Sequence, residues 1–144
     1  MCRVIKPGGK VAVIVWDALD NVPAYAKVTE LLKTYIGEDA ADVLRKPFCL
    51  GDDEQLTQLF EQAGVDNLVI TQQTGHACFP DIDTLIDAEL AGWMPMNGIA
   101  ISTSQAEHIR QSAKTQLGDY INENGQVRFA MPALIVTGNN TLNH

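Results

Sequence analysis

The stretch from Lys10 to Val15, KVAVIV, constrains the fold more than any other part of the sequence. It is a continuous, β-branched apolar run, and such runs suit strands covered on both faces, as in the centre of a parallel sheet. Immediately before it stands Lys6-Pro7-Gly8-Gly9. Proline fixes φ and glycine permits positive φ, so these four residues should form a tight turn that delivers the chain into the strand.

Downstream the apolar period becomes helical. From Pro23 to about Ile36, Tyr25, Val28, Leu32 and Tyr35 fall on one stripe, with Gly37 at its end. A short helix is expected over Ala40–Leu44. Asp52 can cap the next, with Gln55 reaching back and Leu56, Leu59, Phe60 and Ala63 as the buried face; Gly64 closes it. Asn67–Thr74 alternates as a strand. Asp81 caps a helix carrying Ile82, Leu85, Ile86, Leu90 and Trp93, and Met94–Ile101 is expected to be a mobile loop. Ser104 with Glu107 has capping-box spacing and should open a helix to about Asn124, with Ile109, Ala113, Leu117, Tyr120 and Ile121 inside and Gly125 as its stop. Val127–Thr137 reads as a long strand bent at Pro132, and Asn139–His144 as a polar tail. The order is that of a layered α/β domain with three strands and about four helices.

Composition excludes several classes. The chain has 144 residues, 46% apolar and 19% charged, a globular profile sized for a single domain over residues 1–144. No apolar run approaches the roughly 18–20 residues that span a bilayer, and the N-terminus has no signal-peptide pattern, so a cytoplasmic location is expected. Net charge is −8, and the ten basic residues are scattered, which argues against nucleic acid and anionic membranes as partners. Cys2, Cys49 and Cys78 lack disulfide or CxxC spacing and are read as reduced and structural. With His76, His108 and His144 they make no ligand-like spacing, so no metal is expected.

The segment CRVIKPGGK followed by VAVIVWD resembles the turn that leads into the fifth strand of class I S-adenosylmethionine-dependent methyltransferases. DALDNVPAY from Asp17, PFCLGD from Pro47, LFEQAGV from Leu59, GHACFP from Gly75, Gly92-Trp93 and MPALIVT from Met131 extend the likeness to the ubiquinone/menaquinone-type subgroup over nearly the whole chain. The resemblance implies a partial Rossmann-like fold. Lys10–Val15, Asn67–Thr74 and Val127–Thr137 correspond to the family's fifth, sixth and seventh strands, in the spatial order 5-7-6, the last antiparallel. The first four strands have no counterpart. Neither do the Gly-rich loop after the first strand and the acidic residue after the second, which hold the cofactor in the family. Gly8 and Gly9 precede a strand rather than follow one, so they do not replace that loop. The resemblance therefore implies a truncated domain that binds no cofactor alone, although the complete family domain takes S-adenosylmethionine.

The same resemblance directs attention to substrate-side residues. Trp16 and Asp17 lie at the carboxyl end of the leading strand, where open α/β sheets place ligands; the alternative is a cap and a packing residue. Tyr25 could line the same cavity or serve the helix core. Trp93, with Met94 and Met96, falls in the family's lid region and suits a small apolar ligand, or ordinary core. His76 could accept a proton or be structural. Asp81, Asp83 and Asp87 are read as a cap and two solvated carboxylates. Without its front half, Lys10–Val15 becomes a sheet edge, and an apolar edge is a template for association. A homodimer through that strand, or by exchange of an element, is expected to complete the sheet.

Overall fold

The computed structural model describes residues 4–140. Cys2 and the last four residues of the expected polar tail lie outside the described residues. The chain divides into two compact units. The first comprises the chain up to Asn21, Pro47–Gly75 and the chain from Met131; the second comprises Val22–Lys46 and His76–Ala130.

β1 (Lys10–Trp16), β2 (Val65–Phe79) and β3 (Val127–Asn140) form one sheet in the order β1-β3-β2, of which the first unit holds β1, β2 as far as Gly75 and β3 from Met131. β1 runs antiparallel to β3, from Lys10 opposite Asn139 to Trp16 opposite Ala133. β2 is antiparallel to β3 as well: a Cβ on Gly138 would meet Val65, whereas one on Gly75 would meet the Met131 carbonyl. Spatial order thus departs from chain order in the way the methyltransferase resemblance implies. Both later strands exceed expectation, and Asn139 and Asn140 extend β3 instead of opening a tail.

Coverage of β1 corrects the sequence reading. Val11 is buried and Val13 and Val15 partly so, while Ile14 is 68% and Trp16 44% exposed. The cause is a single covering layer. α3 (Asp53–Gln62) supplies Leu56, with Phe60 and the preceding Leu50, against Val15, Leu68, Ile70, Leu134 and Val136. An antiparallel sheet packed on one face shows this alternation. Only one row of α3 reaches the sheet, so Leu59 and Ala63, expected inside, are exposed. The expected cap is present: the Asp52 carboxylate accepts from the Gln55 N–H at 2.7 Å. At the other end of β1, Gly8 takes φ +75° and its N–H donates to the Asn140 carbonyl at 2.7 Å. The Asn140 side chain donates to the Ile5 carbonyl at 2.7 Å, so the Lys6–Gly9 turn is tied to the end of β3.

The second unit is helical, with α1 (Pro23–Tyr35), α2 (Glu38–Arg45), α4 (Ile82–Asp87), the short α5 (Met94–Met96) and α6 (Thr103–Gln116). A π-helical stretch, Ala88–Trp93, joins α4 to α5. The helices converge on Val28, Leu32, Leu85, Ile86, Ile109 and Leu117, all fully buried, each worth about 1.5–3 kcal/mol against exposure. Met94 is also fully buried and opens the helical turn Met94–Met96, so the loop expected at Met94–Ile101 begins only after Met96. α6 is capped two residues earlier than its sequence suggests. Ser102 accepts from the Gln105 N–H at 3.2 Å while the Gln105 side chain accepts from the Ser102 N–H at 2.9 Å. The helix ends at Gln116 rather than near Asn124, and a 3₁₀ turn over Gly118–Tyr120 follows. Gly125, at φ +79°, serves a turn in which the Asn122 side chain accepts from the N–H groups of Asn124 and Gln126. Asp81 caps α4 by accepting from the Thr84 N–H at 2.7 Å. Asp83 and Asp87 pair with Lys114 and Arg110 across to α6.

Candidate functional site

The end of β1 is organised around one carboxylate. Asp17 follows Trp16 directly and is only 2% exposed. Its backbone N–H donates to the Pro132 carbonyl at 3.1 Å, extending the β1–β3 ladder by one bond. Its Oδ1 accepts from the Ala18 N–H at 2.7 Å and from Asn21 Nδ2 at 2.9 Å, and its Oδ2 accepts from Gln72 Nε2 on β2. Burial alone would raise the carboxyl pKa; the donors from Asn21, Gln72 and Ala18 outweigh it and hold Asp17 below its ordinary value. The charge is therefore kept at neutral pH and tied to three donors.

This hub shapes an open cleft of about 590 Å³ in the first unit, lined by Asp17, Asp20, Asn21, Asp52, Gln72 and Leu134 among others. Gly51 closes one wall so tightly that a Cβ there would overlap the Ala18 backbone nitrogen. No side chain other than hydrogen fits. The cleft presents oxygen acceptors over an apolar floor of Ile70 and Leu134, an arrangement suited to a ligand carrying hydroxyl or amino donors. Among the described residues no group of three His, Cys, Asp or Glu could hold a metal ion.

The sequence-derived residues fall into both units. Trp16 and Asp17 belong to the first, with the indole half-exposed and the carboxylate buried. Tyr25, His76 and Trp93 belong to the second. Tyr25 donates to Glu89 Oε1 at 3.0 Å, and its ring meets Phe129 edge-on at 5.5 Å. Trp93 is half-buried and its Nε1 donates to the Val43 carbonyl at 3.2 Å. His76 is exposed on β2. Cys49 and Cys78 are free and exposed.

Sequence reasoning passed over Gln72, which lines the cleft, and the buried Glu89 of the second unit. Gln72 was legible only as an alternating strand position. Glu89 had a clearer signal: it sits on the same helical stripe as Ile82, Leu85, Ile86 and Trp93, where a carboxylate is out of place.

The glycines before β1 do not offer a phosphate-type or methionine-type cradle. The N–H of Gly8 is spent on Asn140 and that of Gly9 on the Lys6 carbonyl at 2.8 Å. Those two N–H groups are therefore not free to cradle a ligand.

No protein-family model and no curated protein sequence matches this chain. Among solved structures, a crystal structure of a candidate methyltransferase from Bacillus halodurans C-125 aligns with it at 11% identity and a TM-score of 0.45. The alignment covers 98% of this chain and 60% of the Bacillus protein, so the chain spans less than two thirds of that neighbour's length. Among the described residues no helix is long and apolar enough to cross a membrane.

Proposed function

We propose that this chain is the substrate-side portion of a methyltransferase-like fold of the ubiquinone/menaquinone type and is not catalytic alone. The observation that carries the reading is the strand order β1-β3-β2. Sequential strands are neighbours in most sheets, so a last strand inserted between the first two is informative. Together with the KPGG turn and the downstream motifs, that order supports correspondence to the fifth, seventh and sixth strands of the family. In this reading Trp16, Asp17, Tyr25, His76 and Trp93 are substrate-side residues, the first two carried by the first unit and the other three by the second. The cofactor is held by elements that this chain does not contain.

Calorimetric titration of the chain with S-adenosylmethionine tests this directly. No saturable binding is expected. Tight binding at one site per chain would overturn the reading, because a complete cofactor site would then have to exist among these residues.

A second reading is a dimeric module for small-molecule binding or interaction, without methyl transfer. The exposure of Ile14 and Trp16 on the edge strand β1 favours it. Light scattering on the chain by itself tests this reading, and a folded monomer would overturn it.

A further inference from the structure

We propose that the helical unit holds a binding site for a small organic amine, with the Glu89 carboxylate as its counter-ion and Tyr25 as the residue that orients it. Glu89 is 8% exposed and sits in the π-helical stretch Ala88–Trp93. π-Helical stretches are rare and recur at functional sites. A buried carboxylate normally has a cation opposite it or several donors around it. Glu89 has neither. Its Oε1 takes one hydrogen bond, from the neutral Tyr25 hydroxyl at 3.0 Å, and its Oε2 has no partner among the described residues. The described side-chain atom that is both sealed from solvent and unpartnered is Asp83 Oδ1, so the free Glu89 oxygen still reaches the surface.

The surroundings favour an amine over a neutral donor. Tyr25 packs edge-on against Phe129, which is stacked with Phe79 at 6.4 Å and meets Tyr120 at 6.0 Å. The Tyr25 ring, next to that carboxylate, attracts an organic cation through both its charge and its apolar part, whereas the Tyr120 ring already carries Lys27 Nζ at 5.3 Å. A chain of net charge −8 also draws cations towards its surface. Burial pushes the Glu89 carboxyl above its ordinary value, as expected of a charge whose partner is missing. The inference rests on this unit alone and stands whether or not the chain belongs to a methyltransferase.

The test is titration of the full chain with benzylamine, and with benzyl alcohol as the uncharged analogue, followed by calorimetry. Saturable binding of benzylamine is expected. In Glu89→Gln, which retains an acceptor for Tyr25, binding should weaken at least about tenfold, since charge-assisted hydrogen bonds are roughly twice as strong as neutral ones. No benzylamine binding to the parent chain, equal binding to the variant, or equal binding of benzyl alcohol would each overturn the proposal. Should the variant not fold, the carboxyl carbon resonance of Glu89 in the parent chain decides. It must shift with benzylamine along the same saturation curve, and a stationary resonance sinks the idea.

Discussion

Two carboxylates one layer below the surface have opposite relations to pH. Asp17 is surrounded by donors and its pKa is depressed in the folded chain. Its contribution is therefore fully present above the ordinary aspartate range and is lost as pH falls through the folded value. Replacing it by alanine removes three hydrogen bonds, from the Asn21 and Gln72 amides and the Ala18 N–H, at a cost of about 1–3 kcal/mol. Urea denaturation of Asp17→Ala at pH 7 measures this, and an unchanged midpoint would remove Asp17 as the hub of the β1 terminus. Glu89 behaves in reverse. Its folded pKa is raised, so its contribution is present below the ordinary glutamate range and is lost as pH rises through the folded value. Glu89→Gln keeps the Tyr25 hydrogen bond and removes the buried charge. The variant should unfold at higher urea than the parent at pH 8, with the difference shrinking towards pH 4. A gap that stays constant with pH would mean that the carboxylate is compensated after all.

Elements were legible where their signals were local, and illegible where neighbours decided. The Lys6–Gly9 turn, the Pro23 helix and the Asp52 and Asp81 caps depend on residues within a few positions of one another, and sequence spacing finds them. α6 shows the limit: Ser102 and Ser104 both stand three residues before a side chain that can reach back, Gln105 and Glu107. Packing resolves the ambiguity, because Gln105 also donates to the Tyr35 carbonyl at 3.0 Å. Ser102→Ala should cost about 0.5–2 kcal/mol, as loss of a helix cap does, and Ser104→Ala should be near neutral. Thermal denaturation of the pair separates them; equal losses would contradict the observed cap. Coverage of β1 and α3 was not legible, since an apolar run states what could be buried and not which layers exist to bury it. The candidate site was half-legible for the same reason. Asp17 follows from its place after an apolar strand, whereas Gln72 is 55 positions away and only β-pairing brings it near. Gly51 likewise carries no local signal in sequence, yet a Cβ there would overlap the Ala18 backbone. Gly51→Ala should cost at least about 1–3 kcal/mol through forced displacement of that turn.

At the scale of the whole molecule the open question is what β1 does with its outer edge. Ala12, Ile14 and Trp16 share one face with their partners Thr137, Ile135 and Ala133, and that face carries no carboxylate in a chain of net charge −8. Burying Ile14 and Trp16 from two copies would yield roughly 3–7 kcal/mol, allowing for their partial exposure, at about 1.5–3 kcal/mol per side chain. Association costs an estimated 4–15 kcal/mol in lost freedom, so the apolar face alone barely balances it. The backbone groups along the edge must then contribute, which favours antiparallel pairing of β1 with its own copy about a two-fold axis over contact through the faces alone. The resulting sheet would run β2-β3-β1-β1-β3-β2. Like charge opposes this union at long range and is screened by salt over about 10 Å at 0.1 M. We therefore expect light scattering to show a dimer at micromolar concentration whose population rises with ionic strength, and Ile14→Lys to return the chain to a folded monomer. A folded parent chain that stays monodisperse and monomeric in high salt would show that β1 tolerates an open edge, and the dimeric reading would fall.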